Sequence, residues 1–166
     1  MTDLSRRSFI AKSSIAVAGV SLLPGLSACK PGKVNIAFIG VGGRAKDHFP
    51  DCMTENVVAL CDVSDSAAAE GFKTFPKAKR FKDFRVMFDE MASDIDAVII
   101  ATPDHMHFAA AMAAMQLGKH VYVEKPLAHN IWQIRTLRKA AQHYKVINAM
   151  GIQGHATPGI RNVKEW

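Results

Sequence analysis

From residue 34 to residue 150 the chain alternates short apolar, β-branched runs with helix-like segments, and few architectures accept that rhythm. Val34–Ile39, Val57–Cys61, Asp96–Ala101, His120–Val123 and Val146–Met150 each read as a strand buried on both faces, with Ala78–Phe81 as a shorter one. Between them lie predicted helices at Arg44–Met53, at Asp65–Phe72 behind a Ser64 cap, and from an Asp83 cap to Met91. Two more run from Met106 to Leu117, closed by Gly118, and from an Asn130 cap to His143. Apolar strands separated by helices require crossover connections, so the pattern predicts an α/β fold with a doubly wound parallel sheet. Ligands of such sheets bind beyond the carboxyl ends of the strands. The residues to read for chemistry are therefore Gly40–Arg44, Asp62, Thr102–His107, Glu124–Pro126 and Gly151–His155.

Gly40-Val41-Gly42-Gly43-Arg44-Ala45 is G-x-G-x-x-A, placed between the first strand and the first helix. Gly40 permits the tight turn, Gly42 lets the backbone approach a pyrophosphate, and Ala45 is small enough for close helix–strand packing. The helix start offers free N–H groups to phosphate oxygens. These features predict a Rossmann, NAD(P)-binding domain. Asp62 ends the second strand twenty residues after Gly42, where a carboxylate accepts the ribose hydroxyls and repels a 2′-phosphate. No Arg or Lys stands at Val63 or Ser64, so NAD is expected over NADP.

Glu124-Lys125-Pro126 follows the fifth strand. A lysine there could stabilise a developing alkoxide, although taken alone a surface lysine is the plainer reading. Pro126 fixes the backbone, and a cis Lys125–Pro126 bond suits a tight turn. His105 and His107 have a spacing that suggests a metal, but no third ligand follows, so a role at the helix start near the cofactor is expected. Cys52 and Cys61 read as buried free thiols, with a disulfide as the lesser option. The 49% hydrophobic and 22% charged residues exclude disordered and collagen-like classes. Two of the six excess positive charges belong to residues 1–28 and the rest are scattered, so no nucleic-acid partner is expected.

The N-terminus reads as an address. Ser5-Arg6-Arg7-Ser8-Phe9-Ile10 is a twin-arginine pattern, followed by Lys12 and an apolar stretch, Ile15–Leu23, too short to span a bilayer. Leu26-Ser27-Ala28-Cys29 fits a lipobox in which Cys29 is lipidated, or a plain cleavage site at Ala28. The expectation is an exported protein of the periplasm or cell envelope, touching membrane only through a lipid anchor. Residues 1–29 are then the signal, 33–150 the nucleotide-binding domain, and 151–166 the start of a connection to a further domain.

The segments NIAFIGVGGRA (35–45), VVALCDV (57–63), IDAVIIATPDHMH (95–107) and GKHVYVEKPL (118–127) together resemble the glucose–fructose oxidoreductase / inositol dehydrogenase / rhizopine-catabolism family, Gfo/Idh/MocA. GIQGH (151–155) resembles a segment of its exported bacterial members. The resemblance implies a two-domain NAD(P)-dependent oxidoreductase acting on a sugar, a sugar derivative or a cyclitol, and a homo-oligomer when full length. It assigns Gly40, Val41, Gly42, Gly43 and Arg44 to the phosphate loop and Asp62 to the ribose. It assigns Thr102 and Pro103 to the cofactor, Glu124 to the nicotinamide ribose, and Lys125 to the reacting hydroxyl as the catalytic residue, with His107 expected near the cofactor from its place at the helix start. It also implies that a C-terminal α+β substrate domain, carrying the proton-transfer histidine, is missing from this stretch, which alone is expected to be inactive. Two alternatives stand beside the dehydrogenase: a redox-neutral glycosidase or lyase working through a keto-sugar, and a non-catalytic nucleotide-binding protein.

Overall fold

The structure is a computed structural model that describes residues 32–156 and 158–165. The twin-arginine pattern and Cys29 lie outside those residues. The strands are β1 (Asn35–Ile39), β2 (Asn56–Cys61), β3 (Lys79–Phe81), β4 (Ala97–Ile100), β5 (His120–Glu124) and β6 (Asn148–Gly151). They form one sheet in the order β3-β2-β1-β4-β5-β6, and every neighbouring pair is parallel. The chain reverses its direction of growth between β1 and β4, and a crevice opens at the carboxyl edge of a sheet at such a point.

The helices are α1 (Phe49–Cys52), α2 (Asp65–Thr74), α3 (Phe84–Met91), α4 (Asp104–Gln116), α5 (Ile131–Tyr144), α6 (Gln153–Ala156) and α7 (Pro158–Glu165). Ser64, Asp83 and Asn130 cap α2, α3 and α5, each side-chain oxygen accepting a backbone N–H of the first turn. Gly118, at φ +72°, follows the end of α4 as expected.

Side chains alternate along β1 and so feed two cores. Ile36 and Phe38 pack with Leu60, Phe49 and Ala68 on one face, while Ala37 and Ile39 join Met87, Ala111 and Leu137 on the other. Phe38 is fully buried between Phe49, edge-on at 5.5 Å, and Phe75, stacked at 6.1 Å. Burial of a ring of this size is worth roughly 2–3 kcal/mol. No helix among the described residues is long and apolar enough to cross a membrane.

Three elements depart from the sequence reading for identifiable reasons, while other ends shift by one or two residues. The expected helix Arg44–Met53 is a 3-10 helix, Gly43–His48, followed by the short α1. Pro50 has no N–H to offer the Lys46 carbonyl; Phe49 N–H bonds it instead, three residues back, and the tighter winding results. Helix α4 starts at Asp104 and not Met106, because the Pro103 carbonyl already accepts the Met106 N–H at 2.9 Å. Strand β6 starts at Asn148 and not Val146. Lys145 ends α5 in the left-handed region (φ 56°), and the Val146 N–H is spent on the Ala141 carbonyl at 3.0 Å.

Candidate active site

A cleft of about 550 Å³ opens at the carboxyl ends of β1, β2 and β4. Its floor is the glycine loop. Gly40 has φ +80°, and a Cβ there would lie 2.7 Å from the Ala101 carbonyl and the Thr102 nitrogen. The turn therefore rests directly on the end of β4. At Gly42 a Cβ would come within 2.9 Å of Ala67 Cβ, so glycine here lets the loop lie against the first turn of α2. Ala45 is fully buried, which fits the close helix packing expected of it. Val41 is buried in the core and reaches the site only through its backbone. Gly43 and Arg44 open the 3-10 helix, where the first N–H groups have no partner within the helix.

Asp62 stands over this loop. The N–H groups of Val41 and Gly42 donate to its Oδ2 at 2.8 and 3.2 Å, and the Ser64 N–H donates to its Oδ1 at 2.8 Å. An ionised carboxylate has about four acceptor sites, so room for a ribose hydroxyl remains. Spacing from Gly42 predicts the ribose role; the clamp on the loop is a second role, which the structure adds.

Thr102 and Pro103 line the far wall of the cleft with His105 and Met106. Thr102 Oγ1 is buried with no hydrogen-bond partner among the described residues. A loop with no room for a Cβ at Gly40 or Gly42, an open helix start, a carboxylate at the end of β2 and an orphaned hydroxyl together fit a dinucleotide. His107 is placed elsewhere: it is 1% exposed, and its Nδ1 and Nε2 face the carbonyl oxygens of Pro126 and Thr102 at 2.6 and 2.8 Å. It ties the end of β4 to the loop after β5, and its neighbour His105 is the histidine that reaches the cleft.

Glu124 stands at the carboxyl end of β5, where the sequence puts it, and the structure adds its partners. It is 3% exposed, and its Oε1 accepts from His48 Nε2 at 2.7 Å and from Gln153 Nε2 at 3.0 Å, with Arg44 Nε at 3.6 Å. Its Oε2 accepts from the Lys125 N–H at 3.3 Å. Burial alone would raise the Glu124 carboxyl, but these hydrogen bonds outweigh it and hold the group below the ordinary carboxylate range. The ionised carboxylate only accepts, so His48 is the donor. A Cβ at Gly151 would lie 2.8 Å from Glu124 Oε1, which makes the glycine at the end of β6 part of this node.

Lys125 is exposed at the end of β5, and its ammonium has no hydrogen-bond or ion-pair partner among the described residues. The Lys125–Pro126 bond is cis. Cys52 and Cys61 are free and buried. Burial, aided by nearby carboxylates, pushes their thiols up to about 11 and about 12, which keeps them protonated at neutral pH. No cluster among the described residues could hold a metal ion.

Sequence reasoning missed Lys82 and His48, and it flagged the segment of Gln153 without its partner Glu124. Lys82 follows β3 and lines the cleft, and only the strand order reveals that it is near Asp62. His48 lies three residues beyond Ala45, but its partner is 76 positions away.

Residues 34–152 match the Gfo/Idh/MocA oxidoreductase family, NAD-binding Rossmann fold. The chain is 27% identical over 146 residues to a levoglucosan dehydrogenase of Pseudarthrobacter phenanthrenivorans, an alignment covering 80% of this chain and 36% of the relative. It is 36% identical over 123 residues to an alpha-N-acetylgalactosaminidase of Shewanella oneidensis, covering 66% of this chain and 27% of the relative. The chain thus spans well under half the length of these curated relatives. The WlbA (WbpB) dehydrogenase of Thermus thermophilus, solved with NAD and alpha-ketoglutarate, superposes with a TM-score of 0.72 at 23% identity, over 80% of this chain and 45% of that one. This likeness establishes the shared fold.

Proposed function

Because the chain belongs to the oxidoreductase family with the NAD-binding Rossmann fold, we propose that it is the nucleotide-binding part of an NAD-dependent oxidoreductase acting on a sugar, a sugar derivative or a cyclitol. The observation that carries this reading is Lys125: an exposed lysine just past the carboxyl end of β5, its ammonium without a partner among the described residues. Bound NAD supplies the hydride acceptor. Asp62 orients the adenosine ribose, and the glycine loop meets the pyrophosphate. Lys125 donates to the substrate hydroxyl and gains interaction energy as that oxygen becomes an alkoxide. The proton acceptor is assigned to a substrate domain beyond this stretch. The test is to incubate the full-length protein with NAD and a panel of sugars and cyclitols. Substrate-dependent NADH absorbance is expected, and its absence across the panel, with no glycoside cleaved, would reject the reading.

A redox-neutral glycosidase is the second reading, favoured by the name and the 36% identity of the Shewanella relative. Hydride transfer from the sugar to NAD would give a keto-sugar with an acidified adjacent C–H, elimination would expel the leaving group, water would add across the resulting double bond, and the hydride would return to the carbonyl carbon. Release of the leaving group without accumulation of NADH would select this reading over the first.

The N-terminal pattern supports export by the twin-arginine route with lipidation of Cys29, which would carry the folded, cofactor-loaded protein to the cell envelope. Arg6→Lys with Arg7→Lys should leave unprocessed precursor in the cytoplasm. Unchanged processing would reject export, and membrane attachment surviving Cys29→Ala would reject the lipid anchor.

A further inference from the structure

Strand register brings a cation beside the ribose carboxylate that no local motif announces. Strand β3 pairs with β2 so that Phe81 lies opposite Cys61, and the Asp62 N–H donates to the Phe81 carbonyl at 3.0 Å. Lys82, the next residue, is therefore the neighbour of Asp62 across the sheet edge, and both line the same cleft. The Lys82 ammonium is drawn along the rim: its Nζ lies 2.5 Å from Asp65 Oδ1, with the Val63 carbonyl at 3.4 Å. Asp65 is the first residue of α2.

We propose that Lys82 is a latent binding site for the 2′-phosphate of NADP, and that Asp65 keeps it occupied and so sets how strongly NAD is preferred. The proposal rests on the cleft being a dinucleotide site. Asp62 repels a 2′-phosphate, but a lysine one strand away provides the countercharge a phosphate needs. The Lys82–Asp65 pair is mostly exposed, with side-chain exposures of 56% and 73%. Such pairs are weak, and a phosphate carrying close to two charges competes with a single carboxylate for the ammonium. The two residues thus act in opposition: Lys82 admits NADP, and Asp65 withholds Lys82.

The test is the ratio of NADP to NAD affinity in the full-length protein, measured by calorimetry at low ionic strength. The same ratio for 2′,5′-ADP and 5′-AMP isolates the adenosine end from Lys125. Asp65→Asn should raise both ratios by about tenfold, the scale of one charge-assisted contact. Lys82→Met should lower them, and the double variant should lose the gain of Asp65→Asn. The gain should shrink in high salt, since the groups are exposed. An unchanged ratio in Asp65→Asn, or a gain that survives in the double variant, would overturn the proposal. A wild-type protein that binds neither dinucleotide would instead reject the cleft assignment, and this inference with it. Both substituted side chains are exposed, so the variants are expected to fold, and matching thermal melts would verify it.

Discussion

Two strands end in a carboxylate, and the protein holds the two by different means. Asp62, after β2, accepts three backbone N–H groups, all within 21 residues of it in sequence. Glu124, at the end of β5, accepts side-chain donors from residues 76 and 29 positions away. The first arrangement belongs to the proposed adenosine end of the site and the second to the end where Lys125 stands. At one end main-chain donors hold the carboxylate, and at the other a buried side-chain node braces the residue proposed to do the chemistry. This division should separate binding from turnover.

The largest expected effect tests that separation directly. Lys125→Met in the full-length enzyme should lower kcat by about 100- to 1,000-fold, with NAD affinity nearly unchanged, because the ammonium gains interaction energy only as charge develops on the substrate oxygen. Initial rates paired with NAD titration would measure it. Normal turnover would make Lys125 a structural residue and break the contrast. Next in size, Gly40→Ala should destabilise the fold by about 3 kcal/mol, combining left-handed strain with the clash against β4. Urea midpoints would register this, and a shift too small to detect would mean the loop does not rest on β4.

Asp62→Ala should weaken NAD by about 1–3 kcal/mol, the range for losing a charged hydrogen-bond acceptor, here half-buried. The clamp on the glycine loop sharpens this expectation. Part of the loss should persist for ligands lacking the ribose hydroxyls, because the Val41 and Gly42 N–H groups lose their partner. Equal affinities for wild type and variant would remove Asp62 from the site.

The same contrast explains what the sequence can reveal. The sheet is legible because six apolar runs alternate with helices, and the glycine loop is legible because its three functions fall within six residues. Asp62 can be found by counting from Gly42. Glu124 can be located but not understood, since its partners His48 and Gln153 come from segments that only the fold brings together. His107 is half legible for a similar reason. Its spacing from Thr102 is local, but its second partner, the Pro126 carbonyl, lies beyond β5. The stretch after the glycine loop reads as one helix from its apolar pattern, and the missing N–H of Pro50 decides its winding.

The smallest expected effect concerns the charge on Glu124. Hydrogen bonds from His48, Gln153 and the Lys125 N–H lower its folded-state pKa against the opposing effect of burial. A carboxylate lowered on folding contributes stability that is fully present above its unfolded value, about 4.3 for glutamate. That contribution is lost as pH falls through the lowered folded value. The wild type should therefore lose stability on acidification more steeply than Glu124→Gln, which has no charge to protonate. Urea midpoints at a series of pH values from neutral to acidic would give the two slopes. The slopes decide the matter and the absolute stabilities do not, since the substituted amide sits among the same donors with one acceptor oxygen fewer. Asp83 is also lowered, by Arg85, but it is retained in both proteins and cancels from the comparison. Parallel slopes would mean that His48 and Gln153 do not hold a charge at this position. The end of β5 would then be braced by packing around Tyr122 and Gly151, and the two carboxylates would no longer differ in the way their donors imply.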